Sequence, residues 1–170
     1  MNKTKKASET LTIMTEIVLP NDTNTLGNLM GGKLLHWMDI CAAISAHRCS
    51  NRVTVTASVN HVSFSHPIGL GDIVTLESKV SRTFNSSMEV FIDVFVEDHR
   101  DGTRKQCNNA IYTFVAVDQI GNPISVPEVI PETDVEKSRY DGALRRRQLS
   151  LILAGKMKPE EATELKKLFV

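Results

Sequence analysis

The sequence has no excess charge of either sign: over 170 residues, 20 Lys and Arg stand against 20 Asp and Glu. With no net field to draw the chain onto a phosphate backbone or an anionic surface, dedicated binding to nucleic acid is not expected. Long apolar runs are missing too. The longest, Ile40 to Ile44, falls far short of the roughly 18 residues that cross a bilayer, so no membrane partner is expected. A secretory h-region is also lacking, since Lys3, Lys5 and Lys6 lead into polar residues and Glu16 interrupts the first apolar run. This points to the cytoplasm. Cysteine is scarce: Cys41, Cys49 and Cys107 leave one over in any pairing and form no C-x-x-C. Neither a disulfide framework nor a zinc site is implied. Internal repeats and low-complexity segments are absent.

What remains is an ordinary globular composition, 41% hydrophobic and 24% charged, at a length that suits one core. Residues 128–170 hold 17 of the 40 charged side chains, so the core is expected in residues 1–132, with a charged helical extension over 133–170. In that core Leu11 to Leu19 reads as a strand closed by Pro20 and the turn formers of residues 21–25. From Gly31-Gly32 onward, Leu35, Met38, Ala42, Ser45 and Cys49 recur at helical spacing with a broad apolar face, predicting a helix of roughly 18 residues. Period-two texture follows in Val53–Val59, Ile73–Val80, Met88–Val96 and Ala110–Val117, with turn signals between. Four long strands at hairpin spacing and one apolar helix predict an α+β fold, the helix wrapped by a curled antiparallel sheet. Two charged helices are expected in Glu132–Leu153 and Pro159–Phe169, and the Arg145-Arg146-Arg147 run is expected on a solvated face, with a nucleotide phosphate as its lesser use.

Gly27 to Lys33 satisfies G-x-x-x-x-G-K, yet Leu34 stands where a phosphate loop needs Ser or Thr, and turn formers precede it instead of a buried strand. Triphosphate hydrolysis is therefore rejected. The glycines keep two uses: letting a ligand oxygen reach the exposed N–H groups of a helix start, or supplying a turn with positive φ. Asp39 is the most informative residue, a carboxylate whose neighbours over Leu34–Ile44 are apolar except His36. It leans back towards Gly31 and Gly32, or else faces solvent as an ordinary helix-surface acid. Asn24 sits in the polar loop before the helix, where an Asx turn is the commoner fate. His36 with Asp39 could pair on a metal, but nothing accompanies them and no metal is expected. Cys41 and Cys49 read as packing residues, without a base to activate them.

Taken together, Leu19 to Asn28, Gly31 to Asp39, Val55 to Val59 with Phe64, Ser86-Ser87-Met88-Glu89-Val90, Gln119 to Pro123 and Val126 to Thr133 resemble the hotdog-fold acyl-CoA thioesterases of the cytosolic, brain-type and bacterial short-chain kind. The resemblance spans roughly residues 10–148 and leaves out the tail after Leu149. It implies a hotdog fold whose subunits pair sheet edge to sheet edge, commonly as a trimer of dimers. It implies hydrolysis of acyl-CoA at the dimer interface by Asp39 and Asn24 from different subunits, with Thr56 helping to hold the water. Gly31 or Gly32 N–H would stabilise the oxyanion, and Arg82, Ser86 and Ser87 would bind CoA. A thioester is electrophilic and thiolate leaves readily, so a carboxylate acting as base or nucleophile suffices without a cofactor. Two alternatives stand beside this: a hotdog dehydratase using one of His36, His47, His61 or His66, and a non-catalytic acyl-CoA binding module.

Overall fold

The period-two segments pair as one antiparallel sheet. In the computed structural model, which describes residues 3–64 and 66–169, the chain runs β1 (Thr4–Lys6), β2 (Thr12–Ile17), α1 (Gly31–Ser50), β3 (Val53–Asn60), β4 (Ile73–Thr83), β5 (Ser87–Glu97), β6 (Arg104–Val117), β7 (Glu128–Ile130), α2 (Asp134–Leu153) and a single turn, α3 (Thr163–Lys166). The sheet order is β2-β4-β5-β6-β3, and β1 pairs with β7 in a separate parallel ribbon. β2 and β3 are therefore the sheet's two edges. β6 starts well before the apolar run that marked it in the sequence, because the polar residues from Arg104 onward continue the ladder to β5.

One face of the sheet buries α1. Val74, Leu76 and Val80 of β4, Val90, Ile92 and Val94 of β5, and Tyr112 and Phe114 of β6 close on Leu34, Met38, Cys41, Ala42, Ala46 and Cys49 of the helix. Most of these side chains are removed from water completely, at about 25 cal/mol per Å² of apolar surface, which makes this contact the main source of stability. Polar contacts help fix its register: Ser45 Oγ lies 2.7 Å from Ser78 Oγ and donates to Thr12 Oγ1 at 2.9 Å. Burial pushes the Cys49 thiol up to about 11 and raises that of Cys41, where the hydrogen bond with Ser78 only partly offsets it. Both cysteines are packing residues.

The other face carries α2, and here the sequence reading needs correction. The Arg145–Arg147 run is not a solvated face: Arg146 pairs with buried Glu89 at 2.7 Å, and Arg139 pairs with Asp93 and Glu136 with Lys79, both at 2.8 Å. An ionic helix face lies on an ionic sheet face, joined by these three pairs. Gly142 belongs to the same contact, since a Cβ there would sit 2.5 Å from the Arg146 Nη1. Thr133 caps α2 by accepting from the Glu136 N–H at 3.1 Å. The helix expected over Pro159–Phe169 is instead a 3₁₀ turn and one turn of α-helix. Four residues without a side-chain cap on Ala162 cannot sustain more, and the side-chain Oε1 of Gln148 in α2 accepts from the free N–H groups of Glu164 and Leu165.

Candidate active site

Asp39 and Thr56 meet between α1 and the edge strand β3. The ladder between β3 and β6 shifts register between Thr56 and Ser58, so a bulge at Ala57 turns Thr56 towards the helix and Ser58 towards the opposite face. Thr56 Oγ1 donates to Asp39 Oδ1 at 2.7 Å. Next to it, the Tyr112 hydroxyl of β6 donates to the Leu35 carbonyl at 3.0 Å, one turn before Asp39. Burial first, then the negative charge of Asp39, pushes that hydroxyl up to about 12, so it stays a donor. Two strands thus tie down the helical turn that carries the carboxylate. Asp39 is half-buried, neither sealed in the core nor free in solvent.

A second cluster lies at the start of α1. Asn24 forms the Asx turn expected of it, its Oδ1 accepting from the N–H groups of Leu26 at 2.9 Å and Asn28 at 3.2 Å. Its own N–H donates to the Asn28 carbonyl at 2.8 Å. Among the described residues nothing takes a hydrogen bond from its Nδ2, which leaves that group for a ligand. Asn24, Gly31, Leu34, Phe64, Ile68 and Cys107 line a cavity of about 360 Å³. The positive φ belongs to Gly27, at +76°, and to neither Gly31 nor Gly32. Gly31 is small for another reason, since a Cβ there would meet the Phe64 ring at 3.3 Å. Among the described residues no carbonyl takes the Gly31 or Gly32 N–H, so both are open at the positive end of the helix.

These two clusters do not meet in one chain. Eight residues of helix separate Gly31 from Asp39, roughly 12 Å along the axis, and Asp39 is absent from the cavity wall. The lean of Asp39 towards the glycines is too short to join them.

The expected CoA-binding residues lie beyond the sheet. Ser86 and Ser87 line a groove of about 570 Å³ between its outer face and the C-terminal half of α2, which Ser58, Asn60 and Arg147 also line. Arg82 lies beside that groove and stacks on the Tyr140 ring at 4.2 Å. Arg147 stacks on Phe84 at 4.3 Å and donates to Ser87 Oγ at 3.0 Å. Neither guanidinium has a carboxylate within ion-pair distance among the described residues, and burial holds that of Arg147 below its ordinary range. Of the histidines, His36 is exposed, His47 Nδ1 lies 3.1 Å from the Arg52 carbonyl, His61 lines the α2 groove and His66 lines the Asn24 cavity.

Residues 26–103 match the thioesterase superfamily. An uncharacterised acyl-CoA thioester hydrolase of Bacillus subtilis is 43% identical over 85% of this chain and 84% of its own length. The chain belongs to the acyl-CoA thioester hydrolase family. Its hotdog fold is shared with a hexameric acyl-CoA thioesterase crystallised without ligand, at a TM-score of 0.86 and 38% identity over 89% of this chain and 97% of the other. It is shared also with an acyl-CoA hydrolase of Staphylococcus aureus solved with butyryl-CoA, CoA and CoA disulfide, at 0.82 and 36% over 90% and 95%. That enzyme has further been solved with one asparagine, one aspartate and one threonine each replaced by alanine.

In this member of the family, sequence reasoning missed Tyr112 and Cys107, and held a nucleotide phosphate only as the lesser use of the run that contains Arg147. Tyr112 interrupts an otherwise aliphatic run, which is a signal of a kind: a hydroxyl there needs a partner. Cys107 depends on a bulge, and Arg147 on the sheet face opposite it.

Proposed function

We propose that the chain hydrolyses acyl-CoA thioesters to the free acid and CoA, at sites built from two copies of itself. The Thr56–Asp39 hydrogen bond carries this reading: a hydroxyl that donates to the carboxylate keeps its own lone pairs to orient a water beside it. Asp39 takes a proton from that water, whose oxygen attacks the thioester carbonyl. The charge on the carbonyl oxygen is met by Gly31 N–H and Asn24 Nδ2 of the other copy, the C–S bond breaks, and the departing thiolate recovers the proton from Asp39. No metal or other cofactor enters these steps. The three alanine replacements in the Staphylococcus aureus enzyme fall at separations of 15 and 17 residues, the separations of Asn24, Asp39 and Thr56.

The two-copy arrangement is supported by the distance between the clusters and by the open edge strand that carries Thr56. β3 pairs on one side only and exposes Val53, Val55 and Val59 to 65%, 47% and 42%. An open, apolar edge is a template for a second chain. Three such dimers, by likeness to the hexameric relative, make the assembly we propose for the cytoplasm. In the described residues no helix is long and apolar enough to cross a membrane. CoA phosphates are best met by Arg147 with Ser86 and Ser87, and by Arg82 flanking the same Phe84 ring. Release of free thiol from butyryl-CoA by the purified protein tests the whole reading. Enoyl formation without thiol would make it a dehydratase, and tight binding with neither product would make it a sensor.

A further inference from the structure

We propose that the cavity behind Gly31 takes the acyl chain of the substrate and that Cys107 sets the longest chain it accepts. This rests on the hydrolase reading and adds a specificity residue to it. The cavity has a rim and a floor: Asn24 and Phe64 are exposed, whereas Leu34 and Ile68 retain 2% and 5% of their surface. Its mouth holds the open N–H of Gly31, the donor assigned to the carbonyl oxygen, so a chain attached to that carbonyl has its first carbons at the entrance. Among the described residues no carboxylate, ammonium or guanidinium lines the walls. Asn28, His66 and Asn108 add polar groups, and a hydrocarbon chain finds Leu29, Leu34, Phe64 and Ile68.

Cys107 reaches this cavity through an irregularity in the sheet. In the ladder from β5 to β6, Val94 pairs with Asn108 and Phe95 with Gln106, which leaves Cys107 without a partner. Val94 is fully buried on the inner face. Strict alternation would put residue 107 on the outer face, and the bulge instead turns its side chain to the inner core and the cavity wall. Such bulges re-aim side chains at functional sites. Being half-buried and small, this position can change volume without breaking the core as Leu34 or Ile68 would.

The experiment measures binding of S-alkyl-CoA thioethers, from ethyl to dodecyl, to the wild-type protein, Cys107→Ala and Cys107→Leu. Affinity should rise up to about fourfold per methylene until the chain fills the cavity and then level off. Cys107→Leu should bring the plateau one or two carbons earlier, weakening binding of the longest accepted chain roughly four- to sixteenfold relative to ethyl-CoA. Cys107→Ala should extend the plateau, and Cys107→Val replaces the leucine variant if that fails to fold. Plateaus at the wild-type length in both directions overturn the proposal. Thioethers are not hydrolysed, so this result is independent of turnover, whereas absence of thiol release from acyl-CoA by the wild-type protein refutes the hydrolase reading alone.

Discussion

The proposed division of the site between two copies makes a quantitative prediction about mixed assemblies. Asp39→Asn keeps the shape and removes the base, so kcat should fall by about 10² to 10⁴, the usual contribution of a general base. Asn24→Ala removes both the free Nδ2 and the Asx turn, whose Oδ1 holds the N–H groups of Leu26 and Asn28. It too should be inactive. A catalytic base works within about 3 Å of the proton it removes, and the roughly 12 Å of helix between Gly31 and Asp39 argues against one chain serving both ends. The proposed site draws Asn24 from one copy and Asp39 from the other. When the two variants are denatured, mixed and refolded, random pairing makes about half the dimers mixed, and a two-fold axis gives each of these one site with both lesions and one with neither. About a quarter of wild-type thiol release should return if sites act independently. Native mass spectrometry counts the mixed dimers. If they form and no activity returns, both residues act from one chain and the shared site is wrong.

Thr56→Val should lower kcat at least tenfold with little change in Tm, because the shape survives and only the donor to Asp39 is lost; equal kcat in steady-state kinetics would free Thr56 of any role. Arg146→Met should cost about 3–5 kcal/mol, leaving Glu89 buried and unpaired, and Glu89→Gln with Arg146→Met should recover part of it in calorimetry. Gly31→Ala retains the backbone N–H but crowds the Phe64 ring, so kcat/KM should fall several-fold and Phe64→Ala should restore it; a fall that Phe64→Ala does not relieve points to the backbone itself. Of the three thiols Cys107 should be alkylated first, since Cys41 and Cys49 are fully buried. Burial and then the charge of Asp72 raise the Cys107 thiol against the opposing effect of Lys105, which delays the thiolate. Its alkylation rate should still climb past about pH 8.5, the ordinary thiol midpoint, and a plateau below that would contradict the burial.

The fold was legible because its signals are periodic and local: an apolar stripe after two glycines makes α1, and alternation makes β3 to β6. Asp39 was legible for the opposite reason, as a charge with no business in an apolar run. Its partner was less so. Thr56 is one of several threonines in an alternating strand, and only the bulge at Ala57 explains why it faces the helix while Ser58 does not. The bulge at Cys107 reverses parity in the same way. Period-two reasoning assigns faces from spacing, so it fails one residue past each irregularity. The arginine run was misread because a helical wheel shows which side chains share a face and not what that face meets. The signal lay in the sheet: Lys79, Glu89 and Asp93 sit at outward positions of β4 and β5 and supply a complementary row of charges.

The same irregularity bears on why assembly and catalysis should be coupled. Thr56 lies on the edge strand, beside valines that a lone chain leaves in water, and the bulge that directs it inward also bends the edge that a second copy must pair with. In the proposed assembly, covering that edge and bringing a partner's Asn24 cavity up to Asp39 are one event, driven by apolar burial. Mutations on the outward side of β3 should behave as catalytic mutations although they touch no reacting atom. Val55→Glu, next to Thr56 in sequence but on the opposite face of the edge strand, should lose activity in proportion to the fraction of separated chains measured by ultracentrifugation. Restoring the assembled fraction at higher protein concentration should restore the rate per chain. A Val55→Glu protein that stays active while fully dissociated would show that one chain suffices, and the geometry of two clusters roughly 12 Å apart would need another explanation.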